Sequence, residues 1–532
     1  MTDDALVLTL TYGPAMTRYA IPDPMLLRSL QKFLSVKNPN YGLEHPNEPE
    51  FITFFDAEAK MTLTGLRPAL EQWAKKNDLQ VHLVGFPEPK KVPVLKADMV
   101  QGITLEDYQL DAIQSCLKNE RGVVEISVGG GKTEIAIGMV LALRKPRTLY
   151  VVPDIQGMNE IYARFKLRGF RKNILGRLGD THEDTKRRIV IACIASLYSG
   201  LKRSTPGVLE LLQNAEVLIL DEVHHQGTAL SWQVVAGACE ARYRIGMSGT
   251  PYKDPRSRFN PSFIHPFDSW LTGYTGPTLI HMPPAKLQEM GKLTRCEIHP
   301  FIGGGPTVYE MDWASVYNEG IIHNDIRNRR IATLVSNLVD GGARPLISVE
   351  KLEHGRILQR MLLEEGIVAA CSYGQGVLIV PGCILPQLPK GIEVTPVPVT
   401  DPETHRKREA KEVVEDDFVH IPATTSVKGM LLSGVIHTII GSRIYDECVD
   451  VPCLTDLINA AGGKASQRYR QKIGRILRLF RGKAVARIWD PFDECHPFLR
   501  RHSALRLGIA RSEGYEIIQG PSIECKIGRA HV

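Results

Sequence analysis

The chain has little that would tie it to a membrane, a metal or an oxidising compartment. Its 532 residues contain no run of eighteen or more apolar residues, so no membrane-spanning helix is predicted. The start, Met1-Thr2-Asp3-Asp4, lacks the basic-then-apolar pattern of a secretory signal, and a cytoplasmic location is expected. Ten cysteines are spread from Cys116 to Cys525 without a single C-x-x-C pair. The closest two, Cys448 and Cys453, have no His pair at zinc spacing, so reduced, mostly buried thiols are predicted. Charge of one sign is not in large excess. A net +6 and a pI near 8.7 permit a polyanionic partner without establishing one. No internal repeat or low-complexity tract is present.

What remains is soluble composition, 43% hydrophobic and 23% charged, in a chain long enough for two to four domains. The first 95 residues read as a small α+β unit, with strands near Ala5–Leu10, Phe51–Phe55 and Leu79–Val84 and helices near Leu26–Leu34 and Leu66–Lys76. Its basic residues Arg18, Arg28, Lys32, Lys75 and Lys76 are scattered, as on an ordinary surface. From 103 to 285, apolar runs such as Thr148–Val152 and Val217–Leu220 alternate with helical stretches, which predicts βαβ units and a parallel sheet. Residues 286–335 read as a linker. A second α/β domain is expected over 336–515, with an irregular Pro- and Gly-rich insertion at about 373–427 and a tail over 516–532.

Three segments at predicted strand ends carry chemistry. Val123-Val124-Glu125-Ile126 runs into Ser127-Val128-Gly129-Gly130-Gly131-Lys132-Thr133 and then a helical stretch. Strand, glycine loop, Lys-Thr and helix is the context of a phosphate-binding loop, although Ile126 stands where the strict pattern has glycine. There the backbone N–H groups would close on phosphate, Lys132 would reach the β- and γ-phosphates, and Thr133 would ligate Mg²⁺. Next, the apolar strand Val217–Leu220 ends in Asp221-Glu222-Val223-His224, 89 residues after Lys132. Asp221 is placed to hold Mg²⁺ and Glu222 to deprotonate a water. A third strand ends in Ser248-Gly249-Thr250-Pro251.

In this order the segments resemble motifs I, II and III of superfamily 2 helicases. Tyr108-Gln109 resembles the adenine-recognising segment of that family, and Tyr150-Val151-Val152-Pro153 and Ala192–Leu197, with Ser196, resemble the motifs that line its strand track. Asp154 departs from the usual pattern beside Pro153. Pro345–Glu350, with Val349, resembles motif IV. Ser442-Arg443 and Asp446–Pro452, with Asp450 placed toward ATP, resemble motif V, with Cys448 in place of the usual glycine. Gln471-Lys472-Ile473-Gly474-Arg475-Ile476-Leu477-Arg478 is motif VI, Q-x-x-G-R-x-x-R, whose spacing lets Arg475 and Arg478 share a helix face. The resemblance implies two tandem RecA-like P-loop domains that bind ATP and Mg²⁺ between them. It makes Lys132, Glu222, Gln471, Arg475 and Arg478 catalytic, with Gly129, Gly130 and Gly131 around the phosphates. His224, Ser248 and Thr250 would couple that site to the strand.

Gly320–Asn328, Val349–Gly355 and Gly462–Ser466 are similar to segments of phage UvsW-like helicases and their XPB-related kin. That implies a helicase of a bacterial or phage-infected cell that acts on branched or forked DNA by branch migration and by duplex and R-loop unwinding. An RNA helicase, a restriction-type duplex translocase and an ATP-gated DNA clamp are the competing readings.

Overall fold

The computed structural model describes residues 6–39, 41, 48–88, 91–258, 265–373, 377–387, 395–396, 418–422, 427–441, 451–463 and 466–518. The chain divides into two compact units, Met1–Pro283 and Pro284–Val532.

The first unit is built around an eight-stranded sheet. Its strands run in the spatial order Leu175–Gly179, Ile189–Cys193, Thr148–Val152, Val217–Asp221, Tyr243–Ser248, Arg121–Ile126 and Thr278–Met282, all parallel. The short strand His182–Glu183 closes the far edge antiparallel. Helices cover both faces, so the central strands are apolar along their whole length rather than alternating. Two consequences matter for chemistry. Tyr243–Ser248 lies between the phosphate-loop strand and the acidic strand, and its register sets Met247 opposite Asp221 and Ser248 opposite Glu125. The carboxyl ends of three strands therefore finish level with one another, the edge at which such sheets bind ligands.

The first ninety or so residues add a second layer to this unit. A five-stranded sheet orders Phe55–Asp56, Met61–Leu63, Met16–Ala20, Val7–Thr11 and Gln80–Val84, with helices Pro24–Phe33 and Arg67–Lys76. Leu8, Leu10, Tyr19, Leu30, Leu70 and Trp73 form its core, against which Trp270 and Tyr274 of the helix Pro266–Thr275 pack. Arg18, Arg28, Lys32, Lys75 and Lys76 are all exposed. The two layers meet closely at Gly65, where an added Cβ would lie 2.1 Å from the Thr272 carbonyl oxygen and 2.6 Å from that of Gly273.

The second unit holds a ten-stranded sheet. Seven strands are mutually parallel, in the order Ala369–Tyr373, Thr438–Gly441, Pro345–Ser348, Asp456–Ile458, Val485–Phe492, Arg295–Ile302 and Glu516–Ile517. The stretch 286–335, expected as a linker, instead supplies one of these strands, Arg295–Ile302, and the helix Asp325–Asp340. Cys296 and Ile298 bury one face of that strand, and Ile331, Ala332 and Val335 anchor the helix in the second core. Much of 373–427 lies outside the described residues. Its described parts, Val377–Pro381, Thr395–Pro396 and Phe418–Pro422, extend the sheet edge antiparallel. Ile379 and Phe418 enter the core there, so this part is a sheet extension rather than irregular chain.

Gly65→Val is expected to destabilise by about 1–3 kcal/mol, because two carbonyl oxygens occupy the space a side chain needs. Gly508, exposed in the helix Pro497–Ser512 with nothing within 4 Å of where a Cβ would sit, gives the contrast. Gly508→Ala should stabilise by roughly 0.5–1 kcal/mol through helix propensity. Urea midpoints of the two variants check both signs.

Candidate active site of the first unit

The phosphate loop leaves the strand Arg121–Ile126 and feeds the helix Lys132–Ala142. Gly129 and Gly131 have φ of +86° and +79°, conformations that side chains resist. No side chain caps the start of the helix, so its first N–H groups remain for an anion, and the dipole favours one. Glu134 in that first turn would repel phosphate, but Arg164 and Arg168 each hold its carboxylate at 3.3 Å. The Lys132 ammonium donates to the Ile126 carbonyl at 3.1 Å, which folds its side chain back over the loop. These features fit a nucleotide triphosphate: open helix N–H groups, two glycines in left-handed geometry and one cation.

Tyr108 and Gln109 brace this loop from below. The Tyr108 hydroxyl donates to the Gly130 carbonyl at 2.8 Å, and the Gln109 amide N–H to the same oxygen at 3.3 Å. The Gln109 carbonyl accepts from the Glu106 N–H at 3.0 Å, completing a capping box on the helix Asp107–Asn119. Burial pushes the Tyr108 phenol up to about 12, so it stays a donor at any working pH. Each end of the Gln109 amide thus has one protein partner here.

The acidic strand brings Asp221 and Glu222 to the same edge. Glu222 sits in left-handed geometry, φ 47° and ψ 50°, a strain of order 1–2 kcal/mol for a residue with a Cβ. Its carboxylate accepts from the Ser248 hydroxyl at 3.1 Å and lies 3.3 Å from His224 Nδ1. Ser248 in turn accepts from the Thr250 N–H at 3.1 Å and contacts His224 Nδ1 at 3.3 Å. Burial works to raise Glu222, but the hydrogen bond and charge of His224, the charge of Lys132 and the Ser248 bond outweigh it and hold the group ionised. Asp221 is driven the other way, above the usual carboxylate range, by burial and by the adjacent Glu222 charge. Lys132, the Tyr150 hydroxyl at 2.9 Å and the Glu222 N–H at 3.1 Å offset that only in part. An Asp that is costly to ionise alone, beside a base that is already ionised, is the charge arrangement a divalent cation would complete.

In the second unit, motif VI begins on the helix Ser466–Ile476. Gln471 and Arg475 lie on the helix and are partly exposed, but Arg478 lies two residues beyond its end. One helix face therefore does not carry both arginines. Two side chains pin this helix. The Lys483 ammonium donates to the Ile476, Pro452 and Leu454 carbonyls at 2.8, 2.9 and 3.1 Å, using all three protons. At the other end Arg506, ion-paired with Asp490 at 2.9 Å, donates to the Gly463 carbonyl at 2.8 Å.

Comparison with known proteins agrees with this layout. The family profile described as "Type III restriction enzyme, res subunit" matches residues 102–253. The DNA 3'-5' translocase XPB2 of Sulfurisphaera tokodaii is 32% identical over 153 residues, 29% of this chain and 32% of that protein. Over residues 102–253 the chain is similar to this family, and over about the same length to the XPB2 translocase. Among solved structures, the DUF1998 helicase MrfA bound to DNA matches 81% of this chain and 52% of its own, at a TM-score of 0.50 and 15% identity, so the tandem RecA-like fold is shared. UvsW of bacteriophage T4 aligns over 96% of this chain and 99% of its own, at a TM-score of 0.42 and 14% identity. The match to XPB2 spans about a third of that protein's length.

The remaining residues of the helicase motifs are placed unevenly. Pro153 and Ser196 follow the strands Thr148–Val152 and Ile189–Cys193 on the same sheet edge as Asp221, both partly exposed. Asp154, which would repel a phosphate track, is the N-cap of the helix Ile155–Leu167 and accepts from the Gly157 N–H at 2.7 Å. Ser248 is fully buried and Val349 is 2% exposed, packed in the second core, so neither side chain reaches a strand. Burial there follows from the strand register, which carries Val349 inward beside Gly441. Ser442, Arg443 and Asp450 lie outside the described residues. Tyr150, Lys483, Arg506 and Asp490 were not foreseen. Only a polar atom within an otherwise apolar run marks Tyr150 in the sequence. Among the described residues no cluster of His, Cys, Asp and Glu suits a resident metal, the eight described cysteines are free, and no helix is long and apolar enough to cross a membrane.

Tyr150→Phe should raise the Mg²⁺ concentration for half-maximal hydrolysis several-fold, with the fold intact, because Asp221 loses one orienting donor. Magnesium titration of ATP turnover reads this. Gln109→Ala should weaken ATP and GTP alike, since the amide braces the loop; a selective loss of ATP would restore the adenine role.

Proposed function

We propose that this protein is an ATP- and Mg²⁺-dependent DNA helicase or translocase that remodels branched or forked DNA. The observation that carries the catalytic half is the convergence of Lys132, Asp221, Glu222 and Ser248 from three neighbouring parallel strands on one edge. Thr133 and Asp221 would hold Mg²⁺, which supplies charge neutralisation on the phosphates. Glu222, kept ionised by His224 and Ser248, takes the proton of the attacking water as the bond between the γ-phosphorus and the bridging oxygen breaks. Gln471, Arg475 and Arg478 are the further residues that the resemblance to motif VI makes catalytic. The glycines of the loop, with Tyr108 and Gln109 behind them, keep the phosphate cradle in shape.

DNA rather than RNA is supported by the name of the XPB2 relative, a DNA translocase. The branched substrate rests on the joining segments Gly320–Asn328 and Gly462–Ser466 and their likeness to UvsW-like sequences. Within that reading, residues 1–95 form an accessory layer, His224 and Thr250 couple hydrolysis to movement, and Pro153 and Ser196 contact the strand. The protein acts in the cytoplasm. A duplex translocase of restriction type is the second reading, favoured by the family profile over 102–253.

Lys132→Ala is expected to lower ATP turnover by roughly a hundredfold or more, by removing a cation from the developing phosphate charge. Glu222→Gln should keep ATP and DNA binding yet lose about 10²–10⁴ in turnover; near-normal steady-state turnover would remove Glu222 as the base. ATP hydrolysis scored beside strand displacement, with single strand, linear duplex, fork, four-way junction and structured RNA, separates the readings. Stimulation by fork or junction with displaced strands is the expected result. Stimulation by linear duplex without displacement would favour the restriction-type translocase.

A further inference from the structure

The amino edge of the first unit's sheet, at the opposite end of the strands from the phosphate loop, concentrates positive charge that no step above uses. Three neighbouring strands start level there: Leu175, Ile189 and Thr148 are in register, and Val217 follows on the next strand. The ladder runs one residue further back. The Ile174, Arg188 and Arg147 carbonyls accept from the Ile189, Thr148 and Val217 N–H groups at 2.8, 2.9 and 3.1 Å. The segments leading into these strands are therefore neighbours. They read Arg171-Lys172-Asn173, Asp184-Thr185-Lys186-Arg187-Arg188 and Arg144-Lys145-Pro146-Arg147. Of their eight cations all are exposed except Lys145, which is half-buried.

Two observations set this edge apart from ordinary surface. The first is balance. Asp184 is the one carboxylate in the three segments, and Glu216, before the fourth strand, is bonded to the Arg147 N–H at 2.8 Å. Eight cations against two carboxylates leave an excess of six, as large as the net +6 of the whole chain. Among the described residues, Arg187 alone of the eight pairs with a carboxylate, Asp184 at 3.9 Å. The second is bracing. Arg188 donates to the Lys145 carbonyl, and Arg187 to the Asn173 carbonyl at 3.2 Å, so the middle segment ties both neighbours to it. The carboxyl ends of the helices Lys132–Ala142 and Ile155–Leu167 lead toward two of these segments, and one cation apiece would answer their dipoles. Eight cations exceed that need.

Like charges on strands about 4.8 Å apart repel one another unless an anion lies across them. A double helix is such an anion, with one phosphate for about every 1.7 Å of its axis. The three segments contain no aromatic residue, so they offer nothing on which an unpaired base would stack. We propose that this edge holds the phosphate backbone of a duplex arm of the DNA substrate. The proposal rests on the DNA reading above and adds to it a contact remote from hydrolysis. Pro153 and Ser196 follow the other ends of two of the same strands, each five residues or about 17 Å long. A single strand at the carboxyl edge and a duplex arm at the amino edge are the two parts that a branched substrate supplies.

The test is binding of the full chain to a labelled linear duplex and to a single strand of equal length, read by fluorescence anisotropy over a range of salt. Arg171→Ala, Lys172→Ala and Lys186→Ala combined should weaken duplex binding about tenfold or more at about 0.1 M salt. The slope of log affinity against log salt should fall by roughly two to three, about 0.9 for each lost phosphate contact. Lys186→Ala alone should lower it by about one. Single-strand binding should change by less than about threefold, and ATP turnover without DNA should stay as it is, which separates contact from misfolding. Arg171→Lys, Lys172→Arg and Lys186→Arg together should keep both affinity and slope. Equal charge removed elsewhere, by Arg28→Ala, Lys32→Ala and Lys76→Ala, should leave the duplex slope in place. An unchanged duplex slope in the edge variants overturns the surface, leaves the helicase reading standing and would point to an acidic protein partner. An equal loss on the single strand overturns it too, as does an equal fall in the control variant or wild-type binding to single strand alone. Binding of neither DNA by the wild-type chain would remove the DNA reading, and this surface with it.

Discussion

Two carboxylates on successive residues, at the end of a buried strand, cannot both ionise without help. This is the constraint on which the first unit turns. Asp221 and Glu222 repel each other across one peptide, and burial penalises the charge of each. The protein divides the burden unevenly. Glu222 receives His224, Lys132 and Ser248 and is held ionised, while Lys132, a phenol and one N–H offset the burial of Asp221 only in part. Each helper comes from a different segment. Lys132 follows one strand, Tyr150 lies on a second, Ser248 ends a third, and His224 is on the turn that the strained Glu222 backbone creates. The sheet order is therefore a requirement of the chemistry.

The second unit answers a similar electrostatic problem with buried ion pairs. Arg327 and Asp493 meet at 2.7 Å with both side chains almost fully buried, and Arg506 and Asp490 meet at 2.9 Å in the same state. Such pairs add little net stability, but removing one partner leaves a stranded charge that costs about 3–5 kcal/mol. Their value is positional. Arg506 reaches past Asp490 to the Gly463 carbonyl ahead of the motif VI helix, while Lys483 holds three carbonyls at its other end. The arginine-bearing segment is therefore fixed at both ends by cations that donate to main-chain oxygens.

Much of this was legible in the amino-acid order, and the failures are instructive. Buried parallel strands announce themselves as continuous apolar runs, so Thr148–Val152 and Val217–Asp221 stand where the pattern puts them. The stretch 286–335 misled because a strand with one buried face and scattered Pro and Gly reads as coil until a partner strand is known. Asp154 read as a liability because a cap and a repelling charge look alike in one dimension. Gln109 read as a base reader, and its bonds to Glu106 and Gly130, which brace the loop, were not foreseen. Val349 read as a track residue, yet one residue of register decides whether a side chain enters the core or leaves it.

The sequence by itself determined the residue types and their order: a glycine loop ahead of Lys-Thr, paired carboxylates after an apolar strand, Ser-Gly-Thr after another, and two arginines near the end. Those are chemical facts of single segments, and spacing along the chain preserves them. Tertiary structure alone decided which groups touch. Tyr150 and Asp221 lie 71 residues apart and Arg506 and Gly463 lie 43 apart. No local pattern records such pairs, because a hydrogen bond depends on where two distant strands end and not on what stands beside either in the chain.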